Sequence, residues 1–119
     1  MKKVLVVDDK ASIFKVLSVY LKNECELTYC EDPIKAIDWL YDGNEPDLII
    51  SDIRMPKMTG DEFLLYLKGN ELWSNIPVIM LSSEESSTER QQMLEAGADD
   101  YILKPFNPTE LKARVKRLL

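Results

Sequence analysis

Three short runs in this 119-residue chain are apolar on nearly every residue, and each stops on polar side chains. Lys3–Val7 runs into Asp8-Asp9, Asp47–Ser51 into Asp52, and Pro77–Leu81 into Ser82-Ser83. A strand that is apolar on both faces must be covered on both. Parallel βαβ architecture meets that need, because its crossover helices lie on the two faces of the sheet. The stretch Leu48-Ile49-Ile50-Ser51-Asp52 is the sharpest case: it ends on a carboxylate and then breaks at Pro56 and Gly60. An acid at the end of a core strand is costly unless other groups compensate it.

The segments between the runs read as helices. Residues 11–22 repeat apolar side chains at helical spacing, with Phe14, Leu17 and Leu21 flanked by Ile13 and Tyr20. Glu26–Cys30 alternates, as an edge strand does. Asp32-Pro33 reads as a cap and first-position proline, opening a helix that presents Ile34, Ile37, Leu40 and Tyr41 and ends near Gly43. Thr59-Gly60-Asp61-Glu62 has capping-box spacing and leads into Phe63, Leu64 and Leu67. Ser87–Ala96 is helical but thin in apolar residues, and Gly97 closes it. Tyr101–Leu103 is a short fifth strand. Asn107-Pro108-Thr109-Glu110 caps a last helix carrying Leu111, Val115, Leu118 and Leu119. Five strands alternate with five helices, so the expected fold is one doubly wound α/β domain over residues 1–119, with right-handed crossovers.

Composition narrows the function. Fifteen basic against twenty-one acidic residues give a net charge of −6, which argues against a nucleic-acid-binding face. No run of ~18 apolar residues is present to span a membrane. Met1-Lys2-Lys3 leads straight into a run too short for a signal peptide. Cys25 and Cys30 form no C-x-x-C pair and read as small buried hydrophobes in a reduced cytoplasm. The chain has no histidine, which removes imidazole catalysis, histidine metal ligands and a phosphohistidine.

What remains is oxygen chemistry at the strand ends. In a parallel sheet the carboxyl ends lie along one edge, where ligands bind. Asp8, Asp9, Asp52, Ser82 and Lys104 should therefore converge. Like charges at close range repel and favour a protonated partner unless a cation enters. An all-oxygen set selects a hard cation, and Mg²⁺ fits best because it uses one or two carboxylates and keeps company with phosphate. Lys104 would neutralise a phosphoryl group, and Ser82 would donate to one of its oxygens. A carboxylate nucleophile, a divalent cation, a lysine and a hydroxyl together make an aspartyl-phosphate site.

These residues also carry a resemblance. Val6-Val7-Asp8-Asp9, Ser51-Asp52-Ile53-Arg54-Met55-Pro56 with Gly60, Pro77–Ser82, Gly97-Ala98-Asp99-Asp100-Tyr101 and Lys104-Pro105-Phe106 resemble the receiver domain of bacterial two-component response regulators over essentially the whole chain. The resemblance implies a flavodoxin-like sheet of order 2-1-3-4-5. It implies that Asp52 is the phosphoacceptor, attacking a phosphohistidine on a sensor histidine kinase or phosphotransfer protein. It implies Mg²⁺ on Asp9 directly, on Asp8 through water and on the Arg54 backbone carbonyl. Ser82 and Lys104 would contact the phosphoryl group, Lys104-Pro105 would be cis, and Tyr101 would be an aromatic switch following the Ser82 hydroxyl. Ser83 departs from the alanine common there. The C-terminal half resembles the subgroup that carries a winged-helix DNA-binding domain. In that subgroup Arg90, Asp99, Asp100, Glu110 and Arg114 would form a phosphorylation-dependent homodimer face.

Three rivals are weighed against this reading. An Asp-nucleophile phosphatase of the haloacid dehalogenase type needs an acid two residues after the nucleophile, where this chain has Arg54. A pseudo-receiver that is never phosphorylated would not need the full set of five side chains. A flavodoxin-type flavin site would need a hydroxyl-rich phosphate loop after the first strand, which is lacking.

Overall fold

The computed structural model describes residues 1–119. Its elements are β1 (Lys3–Val7), α1 (Ala11–Leu21), β2 (Glu26–Cys30), α2 (Pro33–Tyr41), β3 (Leu48–Asp52), α3 (Gly60–Lys68), β4 (Val78–Ser82), α4 (Ser87–Glu95), β5 (Asp100–Leu103) and α5 (Pro108–Leu118). All four pairings are parallel and the order is β2-β1-β3-β4-β5. This is the flavodoxin-like topology that the resemblance implies.

The alternation along each central strand sorts the core into two layers. Leu5, Val7, Ile49 and Met80 face one side, where they meet Ala36 and Leu40 of α2 and Phe63, Leu64 and Leu67 of α3. Val4, Val6, Ile50, Ile79 and Leu81 face the other, against Leu17 and Leu21 of α1 and Leu111 and Val115 of α5. The sequence of β1 thus serves both layers with one apolar run, as a buried parallel strand must. Removing a side chain such as Leu64 from this packing costs about 2–5 kcal/mol. Cys25 and Cys30 are free and buried, as the sequence implies. No helix is long and apolar enough to cross a membrane.

Two expectations need correction. The inward face of α2 is Pro33, Ala36 and Leu40, while Ile34 and Tyr41 are 42% and 60% exposed. Asp32 caps the helix by accepting from the Lys35 N–H, and Pro33 at the first position is itself buried, which sets the phase of the helix. Tyr41 instead meets Trp73 edge to face, with ring centroids 4.8 Å apart. Trp73, to which the sequence reading gives no role, lies in the segment before β4 and is buried in the core. The second correction concerns strand ends. β3 and β4 run on through Asp52 and Ser82, and β5 begins at Asp100. Asp52 stands opposite Leu81, and Ser82 opposite Leu103, so these polar residues belong to the ladder itself.

Helix ends hold to the caps read from sequence. Thr59 and Glu62 form a complete capping box on α3, and Asn107 accepts from the Thr109 and Glu110 N–H groups on α5. The α4 helix is packed most thinly, with Met93 its one buried residue.

Gly60 is where fold and site touch. Its N–H donates to the Ile53 carbonyl at 2.6 Å, which draws the start of α3 onto the end of β3. A Cβ at residue 60 would lie 2.1 Å from the Asp52 carbonyl oxygen and 2.7 Å from the Ile53 Cα. Both atoms are backbone, so a methyl group has to push the strand end and the helix apart. Gly60→Ala should lower the urea unfolding free energy by about 2 kcal/mol or more, in the upper part of the range for overpacking. A loss below about 0.5 kcal/mol, within ordinary surface scatter, would show that the contact yields without cost.

Candidate functional site: an acidic cluster at the carboxyl edge of the sheet

Because the sheet is parallel, the ends of β1, β3, β4 and β5 share one edge. Asp8 follows β1 and is 1% exposed; Asp52 ends β3 and is 6% exposed. Carboxylate oxygens of Asp8, Asp9 and Asp52 lie within 4.8 Å of one another, with Asp9 at the solvent side. The Lys104 ammonium donates to Asp8 Oδ2 at 3.1 Å and to Asp52 Oδ1 at 3.2 Å. The main chain just after β5 delivers it, with the Lys104 N–H bonded to the Ser82 carbonyl at 2.6 Å and a cis Lys104–Pro105 bond. Asp8 Oδ1 accepts from the Lys10 N–H at 2.9 Å, and the Tyr29 hydroxyl donates to the Asp8 carbonyl at 2.7 Å, fixing the β1 end.

The electrostatics follow from this crowding. Burial pushes the Asp8 carboxyl above its usual range; the Lys10 N–H opposes that, the Asp52 charge adds to it, and Lys104 opposes it again. Lys104 brings one positive charge to three carboxylates. A cluster of hard oxygen donors with excess negative charge fits a divalent cation such as Mg²⁺.

Not every residue of the expected set turns inward. The Ser82 hydroxyl donates to Glu89 Oε1 at 2.8 Å and accepts from the Glu84 N–H at 3.0 Å; no hydrogen bond joins it to Asp52. Tyr101 is buried, and its hydroxyl donates to the same Glu89 oxygen at 2.7 Å and lies 3.2 Å from the Glu84 carbonyl. The Arg54 guanidinium pairs with Glu89 at 2.6 Å and Glu84 at 2.9 Å. Burial raises the Glu89 pKa, but bonds from Arg54, Tyr101 and Ser82 outweigh it and hold the carboxyl below its ordinary range. Burial raises the Tyr101 phenol, and its bond to Glu89 adds to the rise.

The five residues read as a dimer face sit as follows. Arg114 bridges Asp100 at 2.8 Å and Glu110 at 2.7 Å, and Arg117 reaches Asp100 at 3.3 Å. Arg90 lies 5.9 Å from the Tyr101 ring centroid, in cation–π range. With Tyr101, Pro105 and Phe106, Arg90, Glu110 and Arg114 line a groove of about 260 Å³. Asp99 is the exception: its carboxylate accepts from the Val78 N–H at 2.9 Å and faces Lys68 of α3 at 4.0 Å.

Sequence reasoning gives no site role to Glu84, Glu89 or Lys57, and reads Asp32 only as a helix cap. Ser86-x-x-Glu89 has capping-box spacing, which assigns Glu89 to the helix end. Ser86 does accept from the Glu89 N–H, but the Glu89 side chain turns to Ser82, Tyr101 and Arg54 instead. Lys57, at φ 72°, sends its ammonium to the buried Asp32 at 3.3 Å. Asp9, Glu31, Asp32, Pro56 and Lys57 line the solvent side of the cluster. The pair Glu31-Asp32 and the single Lys57, in separate loops, carry no sequence signal of that convergence.

The chain matches the family described as response regulator receiver domain over residues 4–116. It is 39% identical over 121 residues to the phosphate regulon transcriptional regulatory protein PhoB of Escherichia coli K12, and 41% over 119 to PhoB of Pseudomonas aeruginosa. Each match covers 99% of this chain and 52% of the relative, so the chain spans about half the length of these curated relatives. Among solved structures it resembles the receiver domain of Francisella response regulator 1452, with a TM-score of 0.90 and 34% identity over 99% of this chain and 96% of that one. The chemotaxis response regulator CheY4 of Vibrio cholerae matches with a TM-score of 0.89 and 35% identity over 100% and 99%. Fold, acidic edge and likeness agree: the chain belongs to the response regulator receiver domains, the phosphorylation-based signalling modules of two-component systems.

Proposed function

We propose that residues 1–119 form a receiver switch in which Asp52 accepts a phosphoryl group from a sensor histidine kinase or phosphotransfer protein. The observation that carries this reading is the cluster itself: three carboxylates within 4.8 Å, two of them bonded to one lysine, on the open edge of a parallel sheet. A carboxylate oxygen of Asp52 attacks the phosphorus, the bond from phosphorus to the donor's imidazole nitrogen breaks, and the imidazole leaves with the electron pair. Asp8, Asp9, Asp52 and the Arg54 backbone carbonyl would hold Mg²⁺. When bound, it supplies positive charge against the carboxylates and the phosphoryl oxygens. Lys104, already between Asp8 and Asp52, exchanges its carboxylate contact for a phosphoryl oxygen. The roles are positioning and charge neutralisation, with at most slow self-catalysed loading and loss of phosphate.

The response travels through Ser82 and Tyr101. Ser82 turns from Glu89 to the phosphoryl group, Tyr101 follows, and the face of α4, β5 and α5 changes its preferred conformation. That face would bind an output segment or a second copy of the chain through Arg90, Asp100, Glu110 and Arg114, while Asp99 turns toward Val78 and Lys68 instead. Asp100, Glu110 and Arg114 are already paired within the chain. A dimer therefore exchanges internal pairs for external ones and is weak without phosphate. The names of the curated relatives support transcription as the output, and two free buried cysteines suit a reducing cytoplasm.

Asp52→Asn should abolish Mg²⁺-dependent labelling by acetyl phosphate on a phosphate-affinity gel; undiminished labelling would refute the assignment. Lys104→Ala should still take up phosphate, while the amide resonances of α4, β5 and α5 no longer shift on loading. A normal shift would make Lys104 a bystander. A third expectation concerns Asp8. Its pKa is raised in the fold, so the stability it contributes is full below the unfolded value near 3.8 and is lost as pH rises through the folded value. Above the folded value, where Asp8 is ionised, its charge is a net cost. Asp8→Asn should raise the thermal midpoint by a few degrees in metal-free buffer at pH 7, with the gain fading at low pH. The same variant should lose the stabilisation that Mg²⁺ gives the parent. A lower midpoint, or an intact response to Mg²⁺, would contradict this.

A further inference from the structure

We propose that Glu89 is a latch that holds the unphosphorylated conformation by occupying the hydroxyl donors the phosphoryl group must recruit. This inference rests on the receiver reading and adds to it a positioning residue on α4. One oxygen, Glu89 Oε1, takes the Ser82 hydroxyl at 2.8 Å and the Tyr101 hydroxyl at 2.7 Å. The other oxygen, Oε2, is held by the Arg54 guanidinium at 2.6 Å. The carboxylate thus ties together the residue after next from Asp52, the end of β4 and the middle of β5. Its side chain is only 14% exposed, so these are sheltered, charge-assisted bonds.

The competition is a matter of counting protons. Ser82 has one hydroxyl hydrogen, and it can donate well to one acceptor at a time. In the resting state that acceptor is Glu89. A phosphoryl oxygen on Asp52 offers a second anionic acceptor, and taking the Ser82 proton removes one of Glu89's donors. Tyr101 and Arg54 alone then hold Glu89, and α4 has Met93 as its one buried anchor. The helix is tied down by a polar latch where an apolar stripe would otherwise do the work. Arg54, two residues past the end of β3, is the charged partner of the latch.

The test uses the full 119-residue chain labelled with 3-fluorotyrosine, whose five tyrosines include Tyr101. Tyr101→Phe assigns the Tyr101 fluorine resonance. Loading with acetyl phosphate and Mg²⁺ is followed in parallel on a phosphate-affinity gel. Losing hydrogen bonds of ordinary net strength is equivalent to a shift of about three- to tenfold in a two-state equilibrium. Glu89→Ala should load about three- to tenfold faster than the parent. Without any phosphodonor, its Tyr101 resonance should move toward that of the phosphorylated parent. Glu89→Gln keeps the side-chain volume and an acceptor oxygen, so it should move in the same direction by less; it decides the matter if α4 frays in the alanine variant. Normal loading of the parent, with rate and resonance unchanged in both variants, overturns the latch and leaves the receiver reading standing. A parent that takes up no phosphate overturns both.

Discussion

The Lys104 ammonium, set between the carboxylates of Asp8 and Asp52, is the interaction on which the rest of this structure turns. Two buried like charges about 5 Å apart repel by about 3 kcal/mol at an effective dielectric near 20. The fold tolerates that repulsion because β5 brings a cation to the same edge, although Lys104 and Asp8 are 96 residues apart in the chain. Asp9, at the solvent side, leaves the cluster short of positive charge. A site left in that condition favours a divalent cation. The same imbalance that costs stability in the resting protein gives the site its chemistry.

Parallel pairing makes this arrangement available. Each strand contributes its carboxyl end to one rim, and the apolar runs behind the rim fill two core layers. The α3 helix is pulled onto the end of β3 through Gly60, so the backbone around Asp52 is braced. By contrast α4 is held through Glu89 more than through apolar burial. The close bracing around Asp52 and the thin apolar packing of α4 are therefore separate properties, carried by different residues. A switch needs both: a fixed place for the phosphoryl group and an element whose two conformations lie close in energy.

The fold was legible in the sequence wherever one signal sufficed. Apolar runs marked β1, β3 and β4, and the caps at Asp32, Thr59 and Asn107 marked three helix starts. The phase of α2 was not legible, because Ile34 and Tyr41 look more apolar than Ala36, yet Pro33 and the Asp32 cap orient the turn. Trp73 escaped for a related reason: no periodic pattern surrounds it, and its burial depends on Tyr41 and Tyr66 from other elements. At the site, the strand-end rule brought Asp8, Asp9, Asp52 and Lys104 together. It also placed Ser82 at the rim, but not the direction of its hydroxyl, which points to Glu89, seven residues away. Nothing in the apolar pattern of Ser87–Ala96 singles out Glu89, and only tertiary packing shows what its side chain does.

The central claim, that the carboxyl rim exists to carry a phosphoryl group on Asp52, has a direct chemical readout. Protein loaded with acetyl phosphate in Mg²⁺ can be reduced with borohydride, which converts an aspartyl phosphate to homoserine, and then mapped by peptide mass spectrometry. The account predicts homoserine at position 52 and at no other acidic residue. Homoserine at Asp8 or Asp9, or none anywhere, would contradict it.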